Sequence, residues 1–142
     1  MPSSTETAVA LQWIESTLSG DSTLQGYAPG GVLQTFALPG TTAPYMLVEY
    51  ISGADHPVFG GGRAYSEMRF HVTVVGPFAN IQTLWNAAAR IETLLTVTTQ
   101  TSVAGGIIIG SFRDQPISKD EYVDGQKWNI AGGEYCIMAK AS

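Results

Sequence analysis

The sequence of 142 residues is poor in charge and nearly free of cysteine. Charged residues make up 13% of it, against roughly 25% in an average soluble domain. A monomer of this size exposes on the order of 7,000 Å², over which the 7 basic and 12 acidic residues form a thin coat. This predicts a surface rich in Thr, Ser and Gly, part of which is buried against other subunits, where charged residues are depleted.

Other absences exclude several classes of protein. A single cysteine, Cys136, leaves no intrachain disulfide and no multi-thiolate metal site, and it favours a cytosolic origin. No apolar run approaches the 18 residues of a membrane span, and the first residues lack the basic start and apolar stretch of a secretory signal. The net charge of −5 leaves no basic patch for a nucleic-acid backbone, so direct duplex binding is not expected.

Hydrophobic periodicity predicts two helices, at about residues 4–19 and 79–95. Turn residues and apolar runs predict the strands, at about 32–37, 45–52, 63–75, 107–113 and 128–140. This order of elements predicts one α+β domain over residues 1–142, with two helices packed on one face of a mostly antiparallel sheet.

Alternation along the strand at 63–75 separates two faces. The apolar face carries Met68, Phe70, Val72 and Val74, and the polar face carries Glu67, Arg69, His71 and Thr73. Gly132-Gly133 predicts a bulge or bend in the last strand.

The three tryptophans are predicted to lie in the core. Trp85 falls on the apolar stripe of the second helix. For Trp13 and Trp128 a subunit contact is the alternative, because tryptophan is enriched in interfaces.

Two segments are predicted to be surface loops that order on docking. The first, residues 53–62, includes three consecutive glycines, which predict a mobile hairpin loop; its candidate docking residues are Asp55, His56, Phe59 and Arg63. The second, residues 114–125, is acidic, and its candidates are Asp114, Asp120, Glu121 and Asp124. The glycine run lacks the Gly-Lys-Ser/Thr ending of a phosphate-binding loop, and the acidic spacing does not match a calcium-binding loop.

No catalytic motif is present. The two histidines, His56 and His71, are too few for a zinc site, and His71 is expected to pair with Glu49 on a neighbouring strand. Cys136 has the setting of a small buried side chain. We therefore expect no catalytic residue, no metal and no cofactor.

The order and spacing of these elements over residues 5–140 resemble the tail-completion, or tail-terminator, family of long-tailed bacteriophages, with related minor tail and neck proteins. The resemblance rests on Ala43-Pro44-Tyr45 opening a strand that reaches Tyr50, on Arg69-Phe70-His71-Val72-Thr73-Val74, on the helix after Gly76-Pro77, and on Gly125-Gln-Lys-Trp128 before the last strand.

The resemblance implies a structural virion protein without enzymatic activity, assembled in the host cytoplasm. Such a protein forms a ring, expected to be a hexamer, which stacks on the tail-tube protein, stops tube growth and meets the head–tail connector or stopper protein. DNA passes through the lumen without specific binding, and Glu67, Arg69 and His71 are the candidates for a lumen or subunit-contact face. The alternatives are another phage neck or tail-tube protein, or a small α+β ligand-binding domain with a pocket between helix and sheet.

Overall fold

A computed structural model describes residues 2–57 and 63–141 of the chain, with side chains for 6–56 and 65–141. The helices are α1 (Pro2–Ser19), α2 (Ser22–Tyr27) and α3 (Ile81–Leu95), and a 3-10 turn (Phe78–Asn80) precedes α3. The strands are β1 (Val32–Gln34), β2 (Tyr45–Pro57), β3 (Arg63–Pro77), β4 (Thr101–Val103), β5 (Gly106–Val123) and β6 (Gln126–Ala141). None of the helices in these ranges is long and apolar enough to cross a membrane.

The six strands form one sheet in the order β1-β2-β3-β6-β5-β4, which curls into a half-barrel. The sheet is mixed, because β1 runs parallel to β2 while the other neighbours are antiparallel. The predicted combination of helices with a sheet is present, but the described residues contain three helices instead of two, and strands much longer than predicted. The additional helix, α2, is capped by Asp21, whose carboxylate accepts a hydrogen bond from the Leu24 N–H at 3.0 Å.

The core lies between the helices and the apolar side of β3 and β6. The alternating apolar residues of β3 form the core side of the sheet. They are all buried, as predicted: Met68, Phe70, Val72 and Val74. They belong to one hydrophobic cluster with the inner residues of the helices, which include Ile14 and Leu18 of α1 and Leu84, Ile91 and Leu95 of α3.

The tryptophans have three different environments. Trp13 is buried in the core, as predicted, and Trp128 is half-buried. Trp85 is 51% exposed, so its predicted place in the core is wrong. The buried stripe of α3 runs through Leu84, Ala87, Ile91 and Leu95, and Trp85 lies about 100° around the helix from Leu84.

The predicted bulge at Gly132-Gly133 is also wrong, since β6 keeps its register with both neighbours there. The irregularities lie on β5 instead, between Ile108 and Gly110 and between Arg113 and Gln115. Glycine is required at 132 for a different reason: a Cβ atom there would lie 2.1 Å from the carbonyl oxygen of Val72. The backbones of β3 and β6 are therefore too close at position 132 for any side chain, which explains the glycine there.

Candidate functional site

The polar residues of β3 lie on the sheet face opposite the core, as their alternation predicts. The side chains of Glu67, Arg69 and His71 are each about one-third exposed, at 34%, 33% and 35%. Thr73, the fourth residue of this face, is buried. The candidate lumen face is therefore accessible in the isolated chain and is not part of its core.

Arg69 is the centre of an ion-pair network on this polar face. Its guanidinium donates to Asp114 at 2.5 Å and to Glu134 at 3.4 Å, and it lies 3.8 Å from Glu67. The hydrogen bond to Asp114 is the main cause that raises the pKa of Arg69. Three carboxylates around one guanidinium leave the network net acidic.

His71 has the backbone partner that the sequence predicts but a different side-chain partner. Glu49 is its register partner on β2, which confirms the predicted pairing. Its Nε2 atom lies 3.0 Å from a carboxylate oxygen of Glu134, which comes from β6 on the other side. The second histidine, His56, stacks on Tyr65 with ring centroids 4.5 Å apart, and it lies 3.4 Å from Glu67.

Cys136 lies beneath the same face and is buried, as predicted. Its Sγ donates to a Glu67 oxygen at 3.5 Å. Burial, followed by the nearby Glu67 carboxylate, raises its pKa to about 11. At neutral pH the group is therefore a thiol and not the thiolate that nucleophilic catalysis needs.

The acidic segment, predicted as a loop over residues 114–125, is a β-hairpin, since β5 continues to Val123 and β6 begins at Gln126. Both turn residues have positive φ, 52° at Asp124 and 78° at Gly125, as in the two-residue turn that Asp-Gly favours. Asp-Gly between two strand-forming runs was thus the signal for this hairpin, which the sequence reasoning missed.

The acidic residues of this hairpin have separate roles. Asp114 binds Arg69. Asp120 accepts a hydrogen bond from Asn129 Nδ2 at 2.8 Å, and this bond is the main reason why its pKa is lowered. Glu121 and Asp124 are exposed. These two docking candidates therefore lie on a strand (Glu121) and in a tight turn (Asp124) instead of in a loop.

Residues 53–57 of the first predicted loop belong to a strand instead, because β2 reaches Pro57. Asp55 and His56 therefore lie on a strand, and Asp55 accepts a hydrogen bond from Ser66 at 2.5 Å. Phe59, with the rest of residues 58–62 and the Arg63 side chain, lies outside the described residues.

Curvature of the sheet makes the polar face concave. A cavity of about 130 Å³ is lined by four adjacent strands and the end of β1, through Thr35, Leu47, Glu49, His71, Thr73, Ile117, Lys119 and Ile130. Within residues 2–57 and 63–141, no group of three or more His, Cys, Asp or Glu side chains is arranged to hold a metal ion. The ion pairs of Arg69 join neighbouring strands and gather three carboxylates on the polar face. The cavity beside them is lined by one carboxylate, Glu49, and one ammonium, Lys119.

Comparison with solved structures shows the same fold elsewhere. A chain from the virion of a native gene transfer agent particle matches with a TM-score of 0.68 and 15% sequence identity, over 95% of this chain and 98% of that one. A second solved structure matches with a TM-score of 0.56 and 12% identity, over 96% of both chains. No protein-family model and no curated protein matches the sequence.

Proposed function

We propose that this chain is a structural virion protein of a phage-like particle, and that it forms a ring at the end of the tail tube. The observation that carries the proposal is the end-to-end likeness of its fold to a chain of the gene transfer agent virion. The ring, for which six subunits is the expected number, stops tube growth and joins the tube to the head connector or stopper protein.

The chemistry of the described surface supports a role in assembly. Three ionisable side chains of the polar face contact one another, since Glu134 pairs with both Arg69 and His71. Cys136 is a protonated thiol. Large hydrophobic side chains are instead exposed in adjacent pairs, Tyr50 with Ile51 and Tyr122 with Val123. Exposed apolar surface on a soluble protein marks sites that bind other proteins.

The concave polar face is the proposed lumen surface. Glu67, Asp114 and Glu134 outnumber the guanidinium of Arg69 that they surround. A carboxylate-rich wall repels the phosphate backbone, so DNA passes without being held. The hairpin residues Glu121 and Asp124 are the proposed docking contacts to the neighbouring ring.

Native mass spectrometry of the purified protein over a range of concentrations, followed by its addition to tail tubes growing from the cognate tube protein, tests the proposal. We expect rings, and tubes that stop growing once they carry a cap visible by electron microscopy. A protein that stays monomeric beside tubes and does not alter their length refutes the proposal. Open-ended polymerisation of the chain by itself would instead identify a tube protein.

A further inference from the structure

Two edge segments of the sheet have no strand on their outer side within the described residues. β1 covers β2 only at residues 46–48, and β4 together with Val97 covers β5 only as far as Ser111. Beyond these points lie the β2 edge (residues 49–57) and the β5 edge (residues 112–123), each paired with one described neighbour. Backbone N–H and C=O groups that point outward from such segments can pair with a further strand.

Exposed apolar side chains are concentrated on these two edges. Nine large hydrophobic residues are exposed in the described part of the chain. Five of them lie on the β2 edge or the β5 edge, namely Tyr50, Ile51, Phe112, Tyr122 and Val123. Pro116 removes one N–H group from the middle of the β5 edge, and the end of this edge carries Tyr122, which is 76% exposed. Such an edge indicates a surface that another protein covers.

The directions of the strands determine which partner fits. β2 is antiparallel to β3, β3 to β6, and β6 to β5, so β2 and β5 run in opposite directions. A second copy that placed its β5 edge beside the β2 edge of the first would therefore extend the sheet with another antiparallel pair. Because the two edges are different surfaces, the contact is head-to-tail, and a repeated rotation can close it into a ring.

Each edge also carries a charge without a partner in the described structure. Glu49 on the β2 edge and Lys119 on the β5 edge form no ion pair there. Both line the cavity of the concave face, so they belong to the same face of the sheet. Glu121, two positions after Lys119 on the β5 edge, also forms no ion pair in the described structure, so charge does not by itself select the partner edge.

We infer that the copies of this chain join by pairing the β5 edge of one subunit with the β2 edge of the next, so that the sheet continues from subunit to subunit. The inference rests on the proposed ring and adds its interface. Joined in this way, the polar faces of successive subunits form one surface, with the helices on the other side.

Amide hydrogen exchange tests the interface directly. Exchange is measured on the wild-type protein as dilute monomer and as assembled ring. We expect the outward-pointing amides of both edges to exchange about tenfold more slowly, or slower still, in the ring, because pairing gives these amides hydrogen bonds. The central segments of β3 and β6 are already paired on both sides and serve as the internal control. A ring whose edge amides exchange as in the monomer overturns the inference but leaves the proposed function intact.

Three variants test whether the two edges form the joint between subunits. Tyr122→Lys alters the β5 edge, Ile51→Lys alters the β2 edge, and Trp85→Lys is the matched control, an exposed aromatic on α3. We expect the first two to be folded monomers by thermal unfolding and the third to form rings. An equal mixture of the two edge variants retains one intact joint, so it forms a heterodimer but no ring. Rings from both edge variants, or loss of the ring in the Trp85 variant alone, contradict the inference.

Discussion

Replacing Gly132 by alanine should destabilise the protein strongly, because the clash is with backbone. A Cβ atom at this position would lie 2.1 Å from the Val72 carbonyl oxygen and 2.7 Å from the Thr73 Cα. Contacts this short force β6 away from β3 at the centre of the sheet. Overpacking costs about 1–3 kcal/mol where side chains can adjust. Since backbone atoms adjust least, we expect a loss of about 3 kcal/mol, which lowers the melting temperature by roughly 10 °C.

Urea unfolding of the monomer followed by circular dichroism measures this loss, with two other glycines as controls. Gly26, in α2, has nothing within 4 Å of its Cβ position, so alanine there should stabilise by about 0.4–1 kcal/mol. Gly133 would meet the flexible side chain of Arg113 first, and its alanine variant should fall between the other two. A Gly132 variant that is as stable as the wild type, or more stable than the Gly133 variant, refutes the reasoning.

Two further predictions concern ionisable groups. Because burial raises the pKa of Cys136 to about 11, the native protein should react with iodoacetamide at pH 7.5 at least about tenfold more slowly than the urea-unfolded protein; equal rates would show an accessible thiolate. Hydrogen bonding from Arg90 is the main cause that lowers the pKa of Asp21 below 3.8. The stability from this pair is present above that value and is lost as the pH falls through the lowered pKa. The advantage of the wild type over Arg90→Gln in urea midpoint should therefore be larger at pH 6 than at pH 2, and a constant difference at both values would contradict this.

The sequence predicts best those features that depend on local alternation. The two faces of β3 follow from a period of two, and the same period correctly pairs Glu49 with His71 once β2 and β3 are taken as neighbours. Sequence reasoning did not find the Arg69–Asp114 ion pair. Its residues are 45 positions apart in the sequence. They come within hydrogen-bond distance because β3 and β5 both pair with the same strand, β6. No local pattern contains that information.

The errors also have physical causes. The acidic residues of 114–125 indicate a loop, whereas an edge strand tolerates such charges, because one side of it has no neighbouring strand in the described part of the subunit. The i, i+4 spacing of Trp85 from Ile81 predicts a place in the core. The stripe that packs against the sheet is narrower than the apolar residues of the helix suggest, and it excludes Trp85.

The few basic side chains are largely paired within the subunit, which lowers the cost of burying its surface in an assembly. Four of the basic side chains in the described part of the chain are held in ion pairs within the subunit, namely Arg69, Arg90, Arg113 and Lys127. Burying an unpaired charge in an interface is costly, so a surface whose charges are already neutralised can be covered at a smaller penalty. On the two edges, Glu49, Lys119 and Glu121 form no ion pair within the described part of the subunit. A contact between two copies of one edge stops at a dimer, whereas a joint between the β2 edge and the β5 edge leaves one free edge on each subunit and can continue around the proposed ring, which favours the head-to-tail arrangement.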